Sequence, residues 1–262
     1  VPTRTAETNA WMQVSAGGHH TCASDAEQSA WCWGANWALQ LGTLGSFDRL
    51  VPTRLQSQPV AIPRVFAGGA HSCALSNNGS GYCWSVANAT GVLGIGEANG
   101  DTVPHAIAGG HMWASLAAGG ERMCGLTTTG APYCWGLRRQ GDWAVGDSVL
   151  RAPELVMEGR LFTRVSTAGG HACALEVGNG AAWCWGRNTE GQLGSGGSST
   201  PPGGGPVTVA GDLTFSRIAA GNYHTCGIAT NGATYCWGYN EHGQVGDGTN
   251  VTRSTPTRVA GS

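Results

Sequence analysis

The chain has 262 residues, a formal net charge of −2, 41% hydrophobic and only 11% charged residues, with 44 glycines and 10 cysteines. That much apolar content with so little charge excludes a disordered chain, and near-neutrality leaves no basic surface for a phosphate backbone, so nucleic acid is not an expected partner. No apolar run approaches the roughly 20 residues that carry a helix across a bilayer, so membrane insertion is not expected either.

Taken in chain order, the sequence opens on Val1-Pro-Thr-Arg4, which returns as Val51-Pro-Thr-Arg54 and again as Thr255-Pro-Thr-Arg-Val259. No secretion signal stands at Val1, so the chain reads as mature or with its leader left out. A cysteine pair follows at Cys22 and Cys32, and it recurs at Cys73 and Cys83, Cys124 and Cys134, Cys173 and Cys184, and Cys226 and Cys236, which uses all ten cysteines. First cysteines step by 51, 51, 49 and 53 residues, a period that suits one four-stranded propeller blade per repeat. Runs such as 213–218 and 233–238 read as strands, rich in aromatic and β-branched residues and bounded by glycine. Helices are disfavoured, because Gly and Pro recur too often and no 3.6-residue apolar period is sustained.

These repeats predict an all-β, single-domain β-propeller of five ~51-residue units, at 1–50, 51–102, 103–152, 153–205 and 206–255. Each unit is taken to open on its proline strand, marked by Pro2, Pro52, Pro104, Pro153, Pro206 and Pro256. Six such strands serve five cysteine hairpins, so 256–262 is assigned as a surplus or closing strand that could pair with another chain.

Opposed residues of a hairpin keep a constant sum of residue numbers. If Cys226 faces Cys236, the loop is Thr230-Asn231-Gly232, with glycine where a positive φ is needed. The second and third units give Asn77-Asn78-Gly79 and Thr128-Thr129-Gly130; the fourth, one residue longer, gives a two-residue turn at Gly178-Asn179; the first gives Ala26-Glu27-Gln28, without glycine. Opposed non-hydrogen-bonded residues lie about 4.5 Å apart at Cα, within reach of a disulfide. Five intra-repeat bridges follow: Cys22–Cys32, Cys73–Cys83, Cys124–Cys134, Cys173–Cys184 and Cys226–Cys236. Each adds at most about 3 kcal/mol by loop closure, and together they imply an oxidising, extracellular compartment.

The fifth unit reads Ala220-Gly-Asn-Tyr-His-Thr-Cys-Gly-Ile228 and then Tyr235-Cys-Trp-Gly-Tyr-Asn-Glu-His-Gly-Gln-Val-Gly-Asp-Gly-Thr249; the fourth repeats it as His171-Ala-Cys-Ala-Leu175 and Cys184-Trp-Gly-Arg-Asn-Thr-Glu-Gly-Gln-Leu-Gly194. These motifs resemble the regulator of chromosome condensation repeat family, along essentially the whole chain. The match is looser in unit two, where Ser85 replaces glycine, and in unit three, where Arg122 replaces histidine. The resemblance implies a propeller, and family functions range from nucleotide exchange on a small GTPase to inhibition of secreted enzymes, so no functional residue is carried over.

His20, His71, His171 and His224 each stand two residues before a cysteine. Zinc needs four convergent ligands and each repeat offers three, so a hydrogen bond to a neighbouring blade's backbone is expected, with no metal and no cofactor. Trp33, Trp84, Trp135, Trp185 and Trp237 follow the second cysteine and read as blade packing. Trp37, Trp113 and Trp143 fall outside that pattern and are the candidate binding residues for sugars or a partner. Acidic residues such as Asp25, Asp142, Glu154 and Asp247 occupy non-equivalent places and no nucleophile motif occurs, so no catalytic residue is assigned. Asn78, Asn88 and Asn250 begin Asn-x-Ser/Thr sequons and are candidate glycosylation sites. The expected function is that of a secreted, non-enzymatic glycoprotein, self-associating into an assembly or filament; the rival is a carbohydrate- or protein-binding module, lectin-like or inhibitor-like.

Overall fold

The computed structural model describes residues 10–138, 148–199 and 204–262. The described residues form twenty strands in five four-stranded sheets, with no α-helix. Blade one comprises β1 (Trp11–Ala16), β2 (His20–Asp25), β3 (Ala30–Gly34) and β4 (Arg49–Arg54); blade two comprises β5 (Arg64–Ala67), β6 (Ser72–Leu75), β7 (Gly81–Ser85) and β8 (Asp101–Ala106). Blade three holds β9 (Trp113–Ala118), β10 (Arg122–Thr127), β11 (Pro132–Arg138) and β12 (Ser148–Leu155). Blade four holds β13 (Phe162–Thr167), β14 (His171–Glu176), β15 (Ala182–Gly186) and β16 (Val207–Thr208), and blade five β17 (Phe215–Ala220), β18 (His224–Ala229), β19 (Thr234–Gly238) and β20 (Arg253–Arg258). Each sheet keeps its strands in sequence order, as short hairpin connections require. The fold is therefore an all-β propeller of five blades. The described residues fall into two compact units, one within 1–123, 135–137 and 149–154, the other within 124–134, 138–148 and 155–262.

The hairpin arithmetic holds. Register pairs Cys22 with Cys32, Cys73 with Cys83, Cys173 with Cys184 and Cys226 with Cys236, and all five disulfides form, with Cα atoms 4.0 to 4.1 Å apart. The turn glycines Gly79, Gly130 and Gly232 have φ of 86°, 92° and 87°, and Gln28 occupies the same left-handed position at 62° in blade one. The fourth hairpin differs from expectation. Glu176 N donates to Ala181 O, Gly180 N to Glu176 O, and Val177 N turns away to Leu161 O, so the loop is the four residues 177–180 and not a two-residue turn.

A second correction concerns phase. The proline strand does not open a repeat; it ends one. Trp31 pairs with Arg54, Tyr82 with Ala106 and Tyr235 with Arg258, so this strand is the fourth of the blade whose cysteine hairpin precedes it. Periodicity carries no starting point, and backbone pairing sets it. The segment assigned as surplus, 256–262, thus supplies the end of β20, while Val1-Pro-Thr-Arg4 lies outside the described residues.

The core sits between successive blades. Leu41, Leu55, Ile62, Val65 and Trp84 pack between blades one and two, and Leu175, Leu193, Phe215 and Trp237 between blades four and five. Each buried indole removes 150–250 Å² from water, about 4–6 kcal/mol as an upper value. Close approach also fixes residue type at the turn between the first two strands: a Cβ on Gly69 would lie 2.5 Å from Gly120 O.

Candidate functional site

Two of the four repeat histidines, His20 and His171, serve blade junctions. Ser72 Oγ donates to Gln40 O at 2.7 Å, and His20 Nε2 lies 2.8 Å from that hydroxyl. The one hydroxyl proton is committed to Gln40, so the imidazole must donate through Nε2–H. Burial, and next the neighbouring His19, lower the His20 ring to about 4, so it is neutral. The Trp84 indole donates to the same carbonyl at 3.0 Å. Blades four and five repeat the relay: His171 Nε2 lies 2.7 Å from Thr225 Oγ1, which donates to Gln192 O at 2.9 Å, and Trp237 Nε1 joins that carbonyl at 2.9 Å. Between blades two and three Met123 takes the hydroxyl's place, and Trp135 donates to Val92 O at 2.9 Å. The expected direct bond from histidine to a neighbour's backbone is thus a relay, in which a hydroxyl of the next blade stands between ring and carbonyl.

Strand-to-strand clamps reinforce these joints. Gln13 Nε2 donates to Val65 O at 2.9 Å while its Oε1 accepts from Val65 N at 2.7 Å. Ser15 Oγ accepts from Ala67 N, and Ser166 Oγ from Ala220 N, each at 2.9 Å.

Exit loops are organised by a buried asparagine that the sequence reading missed. Asn240 Oδ1 accepts from Val245 N at 2.8 Å, and Nδ2 donates to Thr249 O and Val251 O at 2.9 and 3.0 Å. Asn36, Asn88 and Asn188 do the same for Leu41, Leu93 and Leu193. The available signal was the fixed spacing of five from asparagine to Leu or Val. Asn88 is fully buried and its Nδ2 donates to Glu97 O at 2.8 Å, so it is a loop organiser and not a glycan acceptor. Asn78 and Asn250 are exposed, with Asn78 on the β6–β7 turn and Asn250 in the loop before β20.

Among the tryptophans, Trp37 is 60% exposed, whereas Trp113 is only 1% exposed and stacks on Trp135 with ring centroids 5.5 Å apart. Trp113 is therefore core, placed at the start of β9 where Ile62, Phe162 and Phe215 fill the same role, and it drops out as a binding residue. Trp143 and Asp142 lie outside the described residues.

Blades one and five differ from the others in what they expose. On β1, Met12 is 71% and Val14 65% exposed, although Val65, at the position of Val14 in blade two, is fully buried. Thr21 and Trp33 are half-buried where Ser72, Thr225, Trp84 and Trp237 are fully buried. On β18, Ile228 is 38% exposed, while its counterparts Leu75, Leu126 and Leu175 are buried. Beside it lies an open, mainly apolar cleft lined by Arg217, Ile218, Gly227 and Thr234, with Arg164 at its edge.

Known proteins match this architecture. The family model described as the regulator of chromosome condensation (RCC1) repeat matches residues 13–36, 28–75, 179–228, 215–244 and 231–262. The ultraviolet-B receptor UVR8 of Arabidopsis thaliana is 29% identical over 255 residues, covering 95% of this chain and 58% of the receptor. The chain thus spans less than two thirds of that relative. Human WBSCR16 superposes with a TM-score of 0.83 at 23% identity, covering 95% of this chain and 67% of that one. Prp20p of Saccharomyces cerevisiae, whose structure is described with its binding to Gsp1p and histones, superposes with a TM-score of 0.61 at 19% identity, covering 96% and 77%. Repeat period, blade register, junction tryptophans and these matches agree: the chain belongs to the regulator of chromosome condensation repeat family of β-propellers.

Proposed function

We propose that this propeller is a non-enzymatic extracellular assembly module, a secreted glycoprotein whose principal partner is protein of its own kind. The observation that carries the reading is the exposure of Met12, Val14 and Ile228 on blades one and five, at positions where other blades bury apolar side chains. Apolar side chains left exposed where sister blades bury theirs mark a place where protein docks. The five disulfides support an oxidising compartment, and the fold it shares with Prp20p, a protein that binds other proteins, supports interaction over catalysis. Size-exclusion chromatography with light scattering, and electron microscopy of the same fractions, should reveal species of several copies. A monomer at every concentration removes the reading. A second reading, a sugar-binding module, is favoured by Trp37, which offers an exposed indole face. Saturable binding on a glycan array that disappears in Trp37→Ala would select it.

A further inference from the structure

The residues that flank each exit-loop asparagine reach the surface, and at the joint of blades four and five they gather aromatic rings and carboxylates. Arg187 and Thr189 flank Asn188 and are exposed, although blade five packs on their loop. Trp37, beside Asn36, is likewise exposed although blade two packs on its loop. Tyr239, half-buried, and Glu241, exposed, flank Asn240 in the same way, so their exposure belongs to the loop position and does not turn on what adjoins blade five.

Three rings meet there. Tyr239 N donates to Tyr223 O at 2.9 Å, which sets the two side chains together. Their ring centroids are 6.2 Å apart at an interplanar angle of 67°, and the His242 ring meets Tyr239 at 6.0 Å and 76°. Edge-to-face contacts turn the ring faces in different directions, and an aromatic face attracts a cation. The chain shows that preference itself: the Arg187 guanidinium lies 5.6 Å from the Tyr223 ring centroid, with Nε donating to Thr189 Oγ1 at 2.9 Å.

Two carboxylates converge on the same rings. The Tyr239 hydroxyl donates to Glu241 Oε2 at 2.7 Å. Its proton is held above the ordinary 10.0 first by that bond, then by burial, then by the charges of Glu241 and Glu190, so Glu190 also lies within electrostatic reach. Among the described residues neither carboxylate has a cationic partner. Two carboxylates against the one guanidinium of Arg187 leave the cluster short of a positive charge.

We infer that this face binds an arginine side chain of a partner protein, its guanidinium laid on the tyrosine rings and its N–H groups donated to Glu190 and Glu241. A planar guanidinium stacks on a ring and offers a fork of donors to a carboxylate at once, whereas a lysine ammonium meets each only as a point charge. The inference does not rest on the self-association proposed above, and a monomer displays it equally.

Titration of isotope-labelled protein with the blocked peptide acetyl-Gly-Arg-Gly-amide, followed by amide chemical shifts, tests it. Protein made in a bacterial periplasm forms its disulfides and adds no glycan at Asn250, whose side chain adjoins Glu241. Saturable shifts are expected at Tyr223, Tyr239, Glu241 and His242. The citrulline peptide, which keeps the shape and loses the charge, should not bind, and the lysine peptide should bind more weakly. Tyr223→Leu should weaken binding about two- to fivefold, and Glu190→Gln with Glu241→Gln about fivefold. Arg187→Gln, which removes the competing guanidinium, should tighten it about twofold. Circular dichroism and a mass count of five disulfides establish that each variant folds, and the isosteric glutamine pair carries the test if Tyr223→Leu does not. Absence of saturation, shifts confined to other residues, equal binding of the citrulline or lysine peptide, or an affinity that the glutamine pair leaves unchanged overturns the inference.

Discussion

Lowering the pH from 7 to 4 tests the junction relay through its histidine. Folded His20 is held at about 4 against an ordinary value of 6.5, chiefly by burial and then by the neighbouring His19. Between these values the unfolded chain takes up a proton that the folded chain refuses. The stability is therefore fully present above pH 6.5, falls as the pH drops, and levels off below 4. At about 1.4 kcal/mol per pH unit, His20 alone accounts for about 3 kcal/mol of that loss. His71, lowered to about 3 by burial and then by His20, steepens the same slope and extends it downwards. Carboxylates act lower in the range, Glu176 only from about its ordinary 4.5 downwards. Asp247, held at about 2 chiefly by the Thr249 hydroxyl, matters only below its ordinary 3.8. Urea unfolding at pH 7, 6, 5 and 4 with disulfides intact reads the effect. His20→Gln keeps an N–H donor for Ser72 and abolishes the titration, so its loss between pH 7 and 4 should be smaller than that of the wild type by about 3 kcal/mol. A wild-type midpoint that does not move between pH 6.5 and 4, or a His20→Gln slope equal to the wild type's, refutes the reasoning.

Other outcomes are expected from the same geometry. Asn240→Ala strands the buried Val245 N–H and should cost about 1–3 kcal/mol, measured by chemical denaturation, with faster amide exchange confined to residues 241–252. Ser72→Ala leaves the His20 Nε2–H without its acceptor and should cost a similar amount, about 1–3 kcal/mol, whereas Ser72→Thr, the residue at the fourth junction, should be nearly neutral. Removing the second bridge as Cys73→Ala with Cys83→Ala should lower stability by no more than about 3 kcal/mol, with the other four bridges still formed by mass spectrometry. Expressed through a eukaryotic secretory pathway, the chain should carry glycans at the exposed Asn78 and Asn250 and none at Asn88, which is fully buried; glycopeptide mapping decides it.

Much of the fold was legible because a hairpin is a local object. The sum rule on Cys226 and Cys236 needs only the two residue numbers, and the glycine at position 232 checks the answer without any tertiary information. The fourth turn escaped because Val177 N is drawn off by Leu161, a residue outside the hairpin. Repeat phase escaped for a similar reason: Arg54 belongs to blade one only because Trp31 pairs with it, and a period cannot reveal a partner. Asn88 looked like a sequon since its two neighbours completed the pattern, but its role lies five residues on, in the amide of Leu93. The candidate surface was the least legible part. Val14 and Val65 are the same residue in the same register, yet one is exposed and the other buried, a difference that residue type does not announce.

Each disulfide joins adjacent strands of a single hairpin, and none ties one blade to the next. Under tension such a chain behaves as stiff links on compliant joints. A pull on the two ends can part the histidine relays and slide blades from one another, yet each bridge withholds the loop between its cysteines, separated by 10 or 11 residues, from extension. At about 3.4 Å per residue, that is roughly 30 Å of slack denied per blade. Reducing agent would release that slack. A protein under tension thus yields at its joints while each hairpin stays closed on its own bridge.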